Sequence, residues 1–248
     1  MEPQSPQRPR GFREAVDRPR RFYKDVEVAQ TDCGFQVRLD GRPVRTPGGK
    51  VLDLPTRALA EQVAEEWAAQ GETIEFAQMH AARLTNTALE AVPAAREATA
   101  HQVTQFAGSD LTLYFAEEPE ALVRRQAEAW EPVLTRVEDE LGVDFARAGG
   151  IVHRPQPQAA VDAVRALALA LDDFRLAGLA FATALYGSAV LAIAVQRSWL
   201  DAPDAFERSR VDEAWQEERW GIDAEAAERV EGLRGEARML ERWLRALD

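Results

Sequence analysis

Apolar and polar positions alternate at the start of the chain and then change period. Phe35-Gln-Val-Arg-Leu39 alternates cleanly, and Arg21–Val28 alternates towards its end. A period of two predicts strands with one buried face. Asp40-Gly41 follows, and Asp-Gly between extended runs predicts a type I′ hairpin turn, because both central residues need positive φ. The returning arm, Arg42-Pro-Val-Arg45, carries Pro43, which confines it to an edge. Thr46-Pro-Gly-Gly49 is a further turn, and Val51-Leu-Asp-Leu54 a short strand. Thr73-Ile-Glu-Phe76 is expected to return to the same sheet.

From Thr56 onward the helical period enters. Thr56 caps a segment in which Leu59, Val63 and Trp67 fall at i, i+4 and i+8, and Gly71 ends it. Beyond Met79 the pattern predicts helices over 80–91, 94–107, 119–141, 158–171, 173–199, 202–220 and 223–246. Leu233, Ala237, Leu240, Leu244 and Leu247 give the last one a single apolar face. No period of 20–50 residues repeats. The expected fold is α+β: a disordered tail over 1–20, a small β-rich N-terminal domain over 21–92, and a larger α-helical C-terminal domain over 93–248.

Leu176–Val195 carries no formal charge over twenty residues, the minimum length for a membrane span. Seven of them are Ala, however, and Asp172, Asp173, Arg175 and Arg197 bracket the segment. A helix buried on all sides is the favoured reading, without stable membrane insertion.

Composition narrows the function. The 248 residues are 46% hydrophobic and 29% charged, with a net charge of −12 and a pI near 4.9, an ordinary soluble profile. Charge is unevenly spread: +2 over 1–20, −3 over 21–92 and −11 over 93–248. Nucleic acid is excluded as the main partner, since phosphate binding needs a basic face. An acidic partner-binding face is expected in the C-terminal part. The first twenty residues lack an apolar core for a secretory signal, and their prolines disfavour an amphipathic presequence. Cys33 is the single cysteine; it excludes an intrachain disulfide and reads as a small buried residue of a strand.

Catalytic motifs are missing. His80, His101 and His153 are too far apart in sequence for a local metal motif. Gly187-Ser188 lacks the Gly-x-Ser-x-Gly elbow, and Pro47-Gly-Gly-Lys50 lacks the spacing of a phosphate loop. Glu117-Glu118 and Glu138-Asp-Glu140 read as solvated helix faces rather than acid/base pairs. No cofactor, metal or catalytic residue is expected. Residues 201–221 stand out instead. They read as one helix capped by Asp201, with Pro203 early and Gly221 at the exit. Phe206, Val211, Trp215 and Trp220 supply apolar anchors, and Asp212, Glu213, Gln216 and Glu217 supply acceptors. Large aromatics among carboxylates suit gripping another protein.

Several short motifs occur in order along the chain. They are Arg21-Phe-Tyr-Lys24, Leu39-Asp-Gly-Arg-Pro-Val-Arg-Thr-Pro47, Glu66-Trp-Ala-Ala-Gln70 and Ser109-Asp-Leu-Thr-Leu-Tyr114. Pro119-Glu-Ala-Leu122, Gln126, Trp130-Glu-Pro132, Gly187-Ser188, Asp212-Glu-Ala-Trp-Gln216 and Trp220-Gly221 follow. Each is weak alone, but the ordered series resembles the ATP synthase assembly chaperones that serve the α subunit of the catalytic head. Met79-His80 departs from the Met-Pro expected there. The resemblance implies a non-enzymatic, monomeric chaperone of mitochondria and α-proteobacteria: cytoplasmic in a bacterium, in the mitochondrial matrix in a eukaryote. It implies binding of free α subunit, shielding of its interface, and displacement by the β subunit. It also points to an acidic residue of the C-terminal motif, Glu213 with Asp212 as the other alignment, supported by Gln216 and Trp220. The competing reading is a soluble enzyme whose dispersed active site leaves no local motif.

Overall fold

In a computed structural model of the chain, the described residues are 19–248. The expected tail therefore lies outside them up to residue 18. Its last two residues are tied down: Pro19 accepts from the Ile74 amide at 2.8 Å, and Arg20 bridges to Thr73. That contact corrects the reading of 73–76, which pairs with the incoming chain rather than with the hairpin sheet.

Strands β1 (Val26–Thr31) and β2 (Gly34–Leu39) form the antiparallel hairpin, with Val28 opposite Val37. On the other edge of β2 lie β3 (Arg42–Pro43) and β4 (Asp53–Leu54). The β2–β3 turn has φ of 48° at Asp40 and 77° at Gly41, as the Asp-Gly pair predicts. Asp40 Oδ1 accepts from the amides of Asp25 and Lys24 at 2.9 and 3.0 Å, which holds its carboxyl below the usual range. Cys33 sits exposed in the β1–β2 turn, not buried in a strand. The tight two-residue reversal at Asp32-Cys33 turns it outward.

Helix α1 (Arg57–Ala68) packs on the sheet, with Leu59, Val63 and Trp67 buried. Thr56 caps it through the Leu59 amide, and the same hydroxyl donates to the carbonyl of Ala246. Glu66, near the end of α1, accepts from the Ala81 and Ala82 amides at 2.8 Å each. It thereby caps α2 (His80–Asn86), and burial raises its pKa. A π-helical turn, Thr87–Ala91, leads into α3 (Val92–Ala94).

The helical layers are α4 (Arg96–Ala107), α5 (Glu120–Leu141), α6 (Gln158–Ala170), α7 (Asp173–Tyr186), α8 (Ala189–Gln196), α9 (Ala202–Ser209), α10 (Val211–Trp220) and α11 (Ala224–Arg245). A two-stranded parallel ribbon, β5 (Tyr114–Phe115) with β6 (Ala148–Gly149), lies among them. Small N-terminal strand region and larger helical body together give the α+β fold.

Two predicted helices are each broken in two. The 173–199 helix ends at Gly187, whose φ of 64° is left-handed, and Ser188 caps α8 through the Leu191 amide. Asp110, fully buried, receives the Val190 amide at 2.9 Å and the Thr112 amide and hydroxyl at 3.1 and 2.9 Å. Burial raises its pKa against the pull of these donors and of the Ser188 hydroxyl. The uncharged stretch Leu176–Val195 is thus two core helices, with Ala189–Val195 buried throughout. Among the described residues no helix is long and apolar enough to cross a membrane. The 202–220 helix breaks at Arg210 (φ −111°), so α10 leaves in a new direction from α9. Asp201 makes no side-chain capping bond there; its carboxylate meets Arg245 at 3.2 Å.

Candidate functional site: a groove between helix α10 and the Gly149–His153 loop

Phe206 and Val211 are buried and seat the α9–α10 corner, whereas the rest of α10 is half-buried or exposed. Its anchor is α5. The Trp130 indole donates to the Arg208 carbonyl at 2.9 Å, and Arg208 donates to the Ala129 carbonyl at 2.7 Å. Buried Gln126 donates to Asp212 Oδ1 at 2.6 Å and accepts from the Ala116 amide at 2.7 Å. One amide thus joins the exit of β5 to the first turn of α10. Asp212 and Glu213 lie in that first turn, where carboxylates complement the helix dipole.

Between these parts runs a groove of about 490 Å³. Its apolar lining includes Tyr114, Phe115, Leu122, Ile151 and Trp215. Asp212 and Gln216, two of the residues to which the resemblance points, line it. Glu213 is exposed beside it and makes no hydrogen bond or ion pair among the described residues. Nearby Arg210 does not pair with it; Arg210 donates instead to Glu217 at 2.5 Å. Trp220, at the end of the helix, is 78% exposed and so is no core residue.

The opposite wall was not anticipated from sequence. Ile151 and Val152 are 99% and 77% exposed, on a loop whose base is tightly held. Arg147 pairs with Glu131 at 2.9 Å and with Glu138, and these bonds raise its pKa further. Glu138 also accepts from the Phe145 amide at 2.7 Å, which corrects its reading as part of a solvated face. The Gly150 amide donates to the Phe115 carbonyl at 2.8 Å, and His153 Nδ1 lies 3.0 Å from the Tyr114 hydroxyl. A Gly-Gly turn followed by two β-branched residues was the available signal. Strand or helix periodicity does not register so short a run.

The histidines do not converge. His101 is exposed, and His80 Nδ1 lies 3.8 Å from Glu236 in a separate cavity of about 540 Å³. Among the described residues no group of three or more His, Cys, Asp or Glu is placed to hold a metal ion.

A groove with apolar walls and Asp212 in its lining, set on an anchored frame, has the makings of a protein-binding surface. Comparisons with known proteins give the family. The model of the ATP12 chaperone protein family matches residues 20–138. The crystal structure of Atp12 from Paracoccus denitrificans is 39% identical, with a TM-score of 0.85, covering 93% of this chain and 99% of that one. The Atu1473 protein of Agrobacterium tumefaciens is 39% identical, with a TM-score of 0.86, covering 93% and 87%. Mitochondrial protein atp12 of Schizosaccharomyces pombe is 24% identical over 223 residues, covering 84% of this chain and 76% of its own length. The chain belongs to the ATP12 chaperone family, which serves ATP synthase assembly.

Proposed function

We propose that the chain is a monomeric chaperone that binds the free α subunit of the ATP synthase F1 sector and covers the surface destined for the β subunit. An unassembled subunit exposes apolar area that would otherwise aggregate. Release follows when the β subunit competes for that surface, so the chaperone itself needs no nucleotide, metal or bond chemistry. Asp212, Glu213, Gln216 and Trp220 form the gripping face, with Glu213 as its principal charge. The observation that carries this reading is the open face of α10, where Glu213 lacks any partner among the described residues and Trp220 projects into solvent. In a bacterium the protein works in the cytoplasm; in a eukaryote, in the mitochondrial matrix.

Size-exclusion chromatography of the purified chain with isolated α subunit, with and without β subunit, tests both halves. A complex that dissolves on adding β subunit is the expected result. No co-elution with α subunit alone overturns the proposal. Glu213→Lys should weaken capture by about tenfold if this carboxylate is a central contact, with circular dichroism unchanged. Unaltered capture removes Glu213 from the face.

A further inference from the structure

We infer that the Gly149–His153 loop is the second gripping wall of this groove, and that the groove takes an apolar client segment flanked by lysine or arginine. The inference rests on the reading of α10 as the client-binding face. It adds the opposite wall and the chemistry of what lies between.

Ile151 and Val152 are among the few large apolar side chains left in solvent among the described residues. Ordinary loops that expose apolar groups do so on movable backbone. Here the loop is tied on both sides of its tip, by the Arg147 side chain to Glu131 and Glu138, by the Gly150 amide to the Phe115 carbonyl, by the Arg154 side chain to the Arg147 carbonyl and by the His153 ring to the Tyr114 hydroxyl. Fixing the loop beforehand removes much of the ordering cost that binding otherwise carries. Burying either side chain against a partner removes apolar surface from water and favours the complex.

The charges at the rim set the sign of the occupant. Arg125 and Arg210 are near the groove but already meet Glu218 and Glu217. Glu117 lies against Gly149 and Gly150, its carboxylate oxygens 3.4–3.5 Å from where a Cβ would stand. Like Glu213, Glu117 makes no ion pair among the described residues. Asp212 keeps one oxygen that receives no hydrogen bond among them. Three carboxylates therefore border an apolar trough; of the cations around it, Arg125 and Arg210 are ion-paired, while Arg219 lies over the Trp215 ring and Arg154 donates to the Arg147 carbonyl. A basic flank gains from this arrangement and an acidic one is repelled.

The probes are two short labelled peptides, one of alternating leucine and arginine and one of alternating leucine and glutamate, read by fluorescence anisotropy. Isolated α subunit, read by size-exclusion chromatography, is the third. The leucine–arginine peptide should bind and the leucine–glutamate peptide should not. Ile151→Asp should weaken both the peptide and the α subunit by about tenfold, as loss of a central apolar contact does. Glu117→Arg should weaken both by about threefold, less at high salt. Circular dichroism melts of each variant check that the fold persists; Val152→Asp serves if Ile151→Asp does not fold. Equal binding of the two peptides, or full capture by folded loop variants, overturns the inference while leaving α-subunit binding intact. A wild-type dimer that Ile151→Asp converts to monomer also overturns it, by assigning the loop to a second copy. Peptide binding that requires Ile151, without any α-subunit capture, keeps the groove's chemistry and removes the proposed client.

Discussion

Helices α8 and α10 are similar in length and opposite in use. Every residue of Ala189–Val195 in α8 is buried, whereas α10 buries only Val211. The first is enclosed by its neighbours and holds the core together. The second is moored along one side, by Gln126 to Asp212 and Arg125 to Glu218, and turns its remaining surface outward. On the proposed function, stability and recognition fall to different helices. Substitutions in one should leave the other's task untouched, and that separation can be attacked directly.

The largest effect is expected from Leu191→Ala in the enclosed helix. It should lower the unfolding free energy by about 2–5 kcal/mol through lost burial and a residual cavity, measured by urea denaturation. Asp110→Ala should follow, costing about 3 kcal/mol by leaving buried amides of Thr112 and Val190 unpaired. A loss below about 0.5 kcal/mol would show that Asp110 does not hold the start of α8. Gly187→Ala should cost about 1–2 kcal/mol, because the left-handed φ disfavours a Cβ; that Cβ would also meet Leu111 Cδ2 at 3.3 Å.

Glu66 gives a pH test of the packing between α1 and α2. Burial raises its native pKa above its ordinary value of 4.5. The associated stability is therefore fully present below that value and is lost as pH rises through the native one. The unfolding free energy of wild type minus that of Glu66→Gln should fall as pH is raised from about 4 to about 7. A difference that grows with pH would contradict the sign. The smallest effect belongs to the open helix: Glu213→Lys should change stability by no more than about 0.5 kcal/mol in the same urea assay. A larger loss would mean that α10 is structural as well.

Local chemistry decided which parts of this arrangement could be read from sequence. The Asp40-Gly41 turn and the Thr56 cap depend on residues adjacent in the chain, and both form as expected. The breaks at Gly187 and Arg210 were missed because apolar periodicity continues through them. What turns the chain at the first is Asp110, eighty residues upstream, receiving the Val190 amide. Gly-Ser was the local hint, as a left-handed exit followed by a new cap. On the candidate face, Asp212 and Gln216 were legible through the motif they share. Ile151 was not, because an exposed isoleucine and a buried one are identical in sequence. Only the ionic staples at Arg147 reveal that it is held outward.

The chain carries its own optical gauge of occupancy. Of its six tryptophans, all among the described residues, Trp220 alone is largely open to water; the other five are buried or half-covered. Acrylamide should therefore quench the red-shifted part of the emission first. A protein seated over α10 would hide that part and cover Trp215 in the groove wall further, so docking can be followed without attaching a dye.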